Sequence, residues 1–387
     1  MQLPPVTVIC PNVSSNALGR SLLLAELLRD ETDVEIVGVR QNAELWSPAQ
    51  ASSIPIRAYP LRSGRRHYFD AVPWLREITG DRMVIVSKPV LQSLGLALLA
   101  GAGRKRGMLI DIDDWQTGFF QRRAGDTLAP MATRWERLRS YARRGGLNGF
   151  VLTRALEEYA RRRTPRIVSN RWLQNRFGGD IVYHVRDAAV LDPAIPPGSQ
   201  PARLDPSLVW VGFVGTPRLH KGIDVLLRAV VDARRRAGVG LVVMGCSESE
   251  SFVASAREKL RAAFVCLPPF AWPALADHVR MADVIAIPSL DVPAAWGQIP
   301  AKLFDAMAMA KPVIASALND MPEILSEVGI TVAAGDQRQL ADAIVSLAGD
   351  PAKRAALGAL AREKLIRLYS YDAGRTVLKR AVLAAAR

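Results

Sequence analysis

Short, almost uninterrupted apolar runs recur along this chain at helix-length intervals, stop at a proline-rich stretch, and then start again. VTVIC (Val6–Cys10), VEIVGV (Val34–Val39), MVIVS (Met83–Ser87) and MLIDI (Met108–Ile112) make up the first series. A strand with one wet face alternates apolar and polar residues, whereas runs like these suit strands covered on both faces. Helical segments between them, such as Arg20–Arg29, imply crossover connections and a parallel sheet. The break is LDPAIPPGSQPARLDP, residues 191–206, where proline and glycine are too dense for a helix or a central strand. After it come LVWVGF (208–213), GLVVMG (240–245), FVCLP, DVIAIPS (283–289) and PVIAS (312–316), again with helices between, and then helical segments at 337–347 and 351–368.

The pattern predicts an α/β protein of two doubly wound, Rossmann-like domains. Their sheets' carboxyl ends are expected to face each other across a cleft, where such folds take ligands. The expected divisions are a first domain at 1–195, a linker at 196–206, a second domain at 207–370, and a C-terminal helix at 371–387 crossing back to the first. A length of 387 residues suits two domains. The three cysteines, Cys10, Cys246 and Cys266, lie far apart beside apolar runs. They have neither metal spacing nor the numbers for a disulfide framework, and read as reduced core residues of a cytosolic protein. MQLPPVTVIC has no basic start and no long apolar segment, so no signal peptide is expected. The most apolar stretch, Leu94–Gly103, is about half of the ~20 residues that cross a bilayer.

The net charge of +14 suits nucleic acid, anionic lipid or phosphorylated small molecules. Residues 104–187 hold 18 Lys and Arg against 9 Asp and Glu. No zinc knuckle, homeodomain or aromatic-studded strand motif accompanies that charge, so nucleic-acid binding is disfavoured.

GFVGTPRLHKG (Gly212–Gly222) carries the chemistry. It leaves a strand and enters a helix, and glycines there let backbone N–H groups approach a ligand while the helix start favours an anion. Arg218 and Lys221 add positive side chains, which makes phosphate or diphosphate the expected guest. The spacing is not that of a P-loop, which needs Lys after its second Gly and a hydroxyl behind it.

A second motif follows in PSLDVPAAWGQIPAKLFDAMAMAKPVIAS (288–316), with Glu323 beyond it in NDMPEIL. With FVGTPRLHKGIDVLL, these residues resemble the C-terminal domain of retaining family-4 glycosyltransferases of the GT-B fold. The likeness is strong over 208–328. It extends more weakly to Gly19 after the first strand, to VSNRWLQNRFG and to VYHVRDAAVLDP. It implies a nucleotide-sugar-binding second domain and an acceptor-binding first domain.

On that resemblance, Lys221 binds the sugar-nucleotide diphosphate with help from Arg218, and Gly19, Gly215, Thr216, Gly297, Gln298 and Lys302 border the donor. Asp305 stands where the family has a Glu bonding the ribose hydroxyls. Eight residues earlier, where the family has another Glu, this chain has Gly297, with Asp291 and Gln298 as candidate substitutes. The reaction implied is sugar transfer to an acceptor hydroxyl with retained configuration, without metal or cofactor, in bacterial glycan or glycolipid assembly.

DIDDWQTGFF (Asp111–Phe120) ends a first-domain strand with three carboxylates. A metal reading is disfavoured, and Asp113 or Asp114 is expected to meet a substrate hydroxyl. Among His67, His184, His220 and His278, His184 is the candidate that borders the site. A sugar-nucleotide epimerase, a basic nucleic-acid binder and an inactive scaffold are the competing readings. Finally, the Arg-rich segment at 134–163, with Trp135, Leu138, Tyr141 and Leu147 among its charges, suggests peripheral contact with anionic membrane.

Overall fold

The computed structural model describes residues 2–42, 44–46, 49, 52–61, 67–120 and 149–386. Two compact units emerge: Met1–Tyr183 with Trp296–Gln298 and Gly374–Arg387, and His184–Ala295 with Ile299–Ala373.

The sheet of the first unit contains β1 (Val6–Cys10), β2 (Val34–Arg40), β3 (Ile56–Pro60), β4 (Met83–Ser87), β5 (Met108–Ile112), β6 (Arg166–Val168) and β7 (Asp180–Ile181). Their order is β3-β2-β1-β4-β5-β6-β7, and every pairing is parallel, with Val6 opposite both Val34 and Met83. β1 and β4 are buried along their whole length, as their uninterrupted apolar sequences require. Around the sheet lie α1 (Ala17–Leu28), α2 (His67–Thr79), α3 (Leu96–Ala100), α4 (Phe150–Arg163) and α5 (Arg171–Phe177). Asn170 caps α5 by accepting from the Leu173 N–H.

The second unit repeats the plan with β8 (Val209–Val214), β9 (Val239–Met244), β10 (Phe264–Leu267), β11 (Val284–Ile287), β12 (Val313–Ser316) and β13 (Ile330–Val332). These are parallel in the order β10-β9-β8-β11-β12-β13. The helices are α6 (Ile223–Arg234), α7 (Ser251–Leu260), α8 (Leu275–Arg280), α9 (Lys302–Ala308), α10 (Met321–Leu325), α11 (Gln337–Ala348) and α12 (Pro351–Leu368). The last helix, α13 (Tyr371–Ala385), groups with the first unit from Gly374 onward.

The proline-rich stretch is not where the units divide. Residues 184–206 group with the second unit, and hydrogen bonds explain why. The Arg186 N–H donates to the Tyr369 carbonyl at 3.0 Å, and the Arg186 carbonyl accepts from Tyr371 at 3.1 Å. Arg362 reaches the carbonyls of Leu191 and Ala188 at 2.8 and 3.1 Å.

Both sheets share one strand order, and in each the direction of winding reverses beside the first strand. That reversal falls between β1 and β4 in one unit and between β8 and β11 in the other. Ligands of such sheets bind at the carboxyl ends there.

Candidate phosphate-binding site

The loop leaving β8 stands at the reversal point of the second sheet. Gly215 has φ +92°, and a Cβ built on it would meet nothing within 4 Å, so the backbone is bare on that side. Its N–H donates to Met244 O at 2.7 Å. Leu219–Lys221 form a short 3₁₀ turn, and Gly222, at φ 70°, starts α6. A Cβ at Gly222 would lie 1.8 Å from the Pro288 carbonyl oxygen. Glycine is therefore required twice over, for its left-handed backbone and for this approach.

The same approach brings the two sequence motifs together. Leu290, in the loop after β11, donates its N–H to the His220 carbonyl at 2.9 Å. Lys221 Nζ bonds the Thr216 carbonyl at 3.0 Å, while Thr216 and Arg218 are exposed. Arg218, Lys221 and the start of a 12-residue helix thus follow one another along a single loop, a combination whose charges suit an anion.

Behind the loop, Lys302 on α9 is buried. Its Nζ lies 3.8 Å from the centroid of the Phe213 ring. Burial pushes its pKa well below the ordinary lysine range, with the charge of Lys221 adding to the effect and Asp305 opposing it. A cation–π contact is worth about 0.5–2 kcal/mol. Stripping water from an ion has an effective cost of several kcal/mol, so burial decides the direction.

One turn along α9, Asp305 is also buried, and one of its carboxylate oxygens is already engaged. Its Oδ1 accepts from Nε of Arg186. The Arg186 guanidinium also bonds the His184 and Val185 carbonyls at 3.3 and 3.0 Å and lies 5.0 Å from the Trp272 ring centroid. A lone Arg in VYHVRDAAV gave no periodic or motif signal, which is why sequence reading missed it. His184 lies beside this pair through its carbonyl, and Glu323 is exposed on α10.

Three expected donor contacts are placed differently. Gly19 lies within the first turn of α1, where a Cβ would meet the Trp46 ring at 3.1 Å, so it is a helix position packed on an aromatic ring. Gly297 and Gln298 belong to the first unit. The Gly297 carbonyl accepts from Asn170 Nδ2 at 2.7 Å. At φ +72°, with a Cβ 2.8 Å from Trp172, position 297 has no room for a Glu. Gln298 Nε2 donates to Asp114 Oδ1 at 2.9 Å. Asp291 is exposed.

The carboxylates of DIDDWQTGFF are matched by cations of their own unit. Arg20 donates to Asp111 Oδ1 at 2.8 Å, both side chains being buried. Lys88 Nζ stands 2.9 Å from Asp113 Oδ1 and 2.5 Å from Asp114 Oδ2. Asp113 is therefore an ion-pair partner, not a free acid facing substrate, and shares its single lysine with Asp114.

Residues 205–350 match the family described as Glycosyl transferases group 1. Among curated proteins, the chain is similar to the D-inositol 3-phosphate glycosyltransferase of Kineococcus radiotolerans, 30% identical over 174 residues covering 39% of this chain and 39% of that protein. The corresponding enzyme of Rhodococcus opacus is 34% identical over 168 residues, 40% of this chain and 36% of that one. The chain thus spans about two fifths of the length of the curated relatives it matches. Among solved structures, sucrose-phosphate synthase from Thermosynechococcus elongatus superposes with a TM-score of 0.68 at 18% identity over 100% of both chains. Anabaena HepE in complex with UDP and glucose gives 0.69 at 13% identity, over 98% of this chain and 100% of that one. The fold is that of GT-B glycosyltransferases, and the second unit carries a glycosyl transferases group 1 domain.

Proposed function

We propose that the protein moves a sugar from a nucleotide-diphosphate sugar to an acceptor hydroxyl with retention of configuration, in glycan or glycolipid assembly. The observation that carries this reading is the β8–α6 loop. Gly215 leaves the loop bare on the side where a Cβ would stand, Lys221 and Arg218 follow it in the same loop, and Gly222 closes it against Pro288. The matched residues 205–350 include all of it.

In the proposed reaction the sugar–phosphate bond breaks as the acceptor oxygen attacks from the same face. The two cations and the α6 N-terminus neutralise the charge growing on the departing diphosphate, which is the main electrostatic contribution. The departing phosphate accepts the acceptor's proton, so no protein nucleophile, metal or cofactor is required. The UDP and glucose in the HepE structure and the inositol phosphate of the curated relatives' names support this class of donor and a hydroxylic acceptor. Peripheral association with anionic membrane is part of the same proposal, since lipid-linked acceptors sit there.

A thermal-shift panel of UDP, GDP, dTDP and ADP tests the reading, because a ligand that binds only the folded state must stabilise it. One diphosphate is expected to raise the melting temperature. Lys221→Ala should abolish that shift and lose ~3–4 kcal/mol of transition-state stabilisation in transfer assays. Wild-type turnover in Lys221→Ala would remove the centre of the proposal.

A further inference from the structure

Lys302 sits where a lysine is hard to keep charged, close to where the proposed ligand is strongly anionic. We propose that Lys302 takes up a proton when a nucleoside diphosphate binds beside Lys221, so that donor and product binding are linked to pH. This inference rests on the phosphate-loop reading above and deepens it.

Lys302 is 9% exposed, and among the described residues no hydrogen bond or ion pair reaches its amine, which lies over the Phe213 ring. The groups that face it are few. From the loop before α6 comes Lys221, a like charge. From its own helix comes Asp305, whose Oδ1 already holds Arg186. From β8 comes only the uncharged ring of Phe213. The amine therefore has no counter-charge of its own, and burial favours its neutral form. A phosphate brings about −1.5 to −2 charges at pH 7, and a nearby anion favours the ammonium. The low dielectric that disfavours the isolated ammonium also strengthens its attraction to the phosphate.

The sign follows. Binding raises the amine's pKa above its value in the unliganded protein. Affinity is then highest below the lower of those two values. It weakens as pH rises toward the higher one, by up to about tenfold per pH unit for one proton.

The test is calorimetric titration of UDP, GDP, dTDP and ADP into the full chain, in buffers of equal pH and different ionisation enthalpy. Working above about pH 7.5 removes the phosphate's own titration near pH 6. The slope of observed against buffer enthalpy should report uptake of up to about one proton per diphosphate within a window of roughly pH 7.5 to 10. Lys302→Met should bind at least tenfold more weakly at the low end of that window, with a slope of zero. Lys302→Arg should recover binding, also with a slope of zero.

Lys302→Met also reports its own folding. An unfolded lysine titrates near 10.4, so the unfolded wild-type chain binds the extra proton and its stability rises with pH. The variant should melt above wild type near pH 7, with the gap narrowing toward about pH 10. Wild-type binding with no proton uptake anywhere in the window would overturn this inference alone. So would unchanged uptake in Lys302→Met. Failure of all four diphosphates to bind would overturn the phosphate-loop reading and this inference with it.

Discussion

Asp305 and Arg186 share a place from which water is largely gone, with side chains 7% and 5% exposed. Breaking such a pair from one side strands a buried charge, which costs about 3–5 kcal/mol. Asp305→Ala should therefore lower the midpoint of chemical denaturation as well as the affinity for nucleoside diphosphate. An unchanged midpoint with lost affinity would assign the carboxylate to the ligand alone. The cysteines behave as their apolar neighbourhoods suggest. Burial pushes the Cys10 thiol up to about 11 and Cys246 up to about 12, which keeps thiolate scarce at neutral pH. Lys221 stood out in the sequence because it closes a glycine-bearing stretch between an apolar run and a helix, whereas Asp305 was singled out only by the family resemblance, which gave no sign of its pairing with Arg186. Arg186 and Lys88 did not stand out, because each acts through a partner far away in sequence: Asp305 and the Asp113–Asp114 pair.

At the scale of elements, the turn from β8 into α6 depends on one residue more than any other. Alanine at Gly222 adopts the left-handed conformation only at roughly 1–3 kcal/mol, and its Cβ would also displace Pro288. Gly222→Ala should lower the denaturation midpoint and uncouple the His220–Leu290 link, seen as weaker diphosphate binding in calorimetry. A variant with native stability and affinity would contradict the geometry. The central strands were readable because burial on both faces leaves an apolar run, as in β1, β4 and β9. β3 was missed because its side chains are half-buried or exposed. β6 and β13, at three residues each, and β7, at two, are too short to show any period.

For the molecule as a whole, the +14 charge bears on membranes as much as on nucleotides. The Arg-rich segment falls largely at 134–148, outside the described residues, but α4 continues it. Leu156 and Ala160 pack into the core, while Arg154, Arg161, Arg162 and Arg163 are exposed beside Val151 at 62% and Tyr159 at 36%. Each Arg near an anionic surface adds about 1 kcal/mol. Co-sedimentation should rise with the anionic lipid fraction of liposomes and fall with salt. Absence of binding at low and physiological salt alike would leave these arginines as solvated surface. Among the described residues, no helix is long and apolar enough to cross a membrane.

The course of the chain has a consequence for its synthesis. Leu378 and Val382 of α13 are fully buried, Lys379 pairs with Glu31 at 2.6 Å, and a Cβ at Gly107 would lie 2.0 Å from the Ala385 oxygen. The unit that begins at the N-terminus is thus completed by residues 374–387. The second unit, confined to residues 184–373 apart from the short return at 296–298, has all its own strands earlier. On the ribosome, the half that emerges first is the half that must wait.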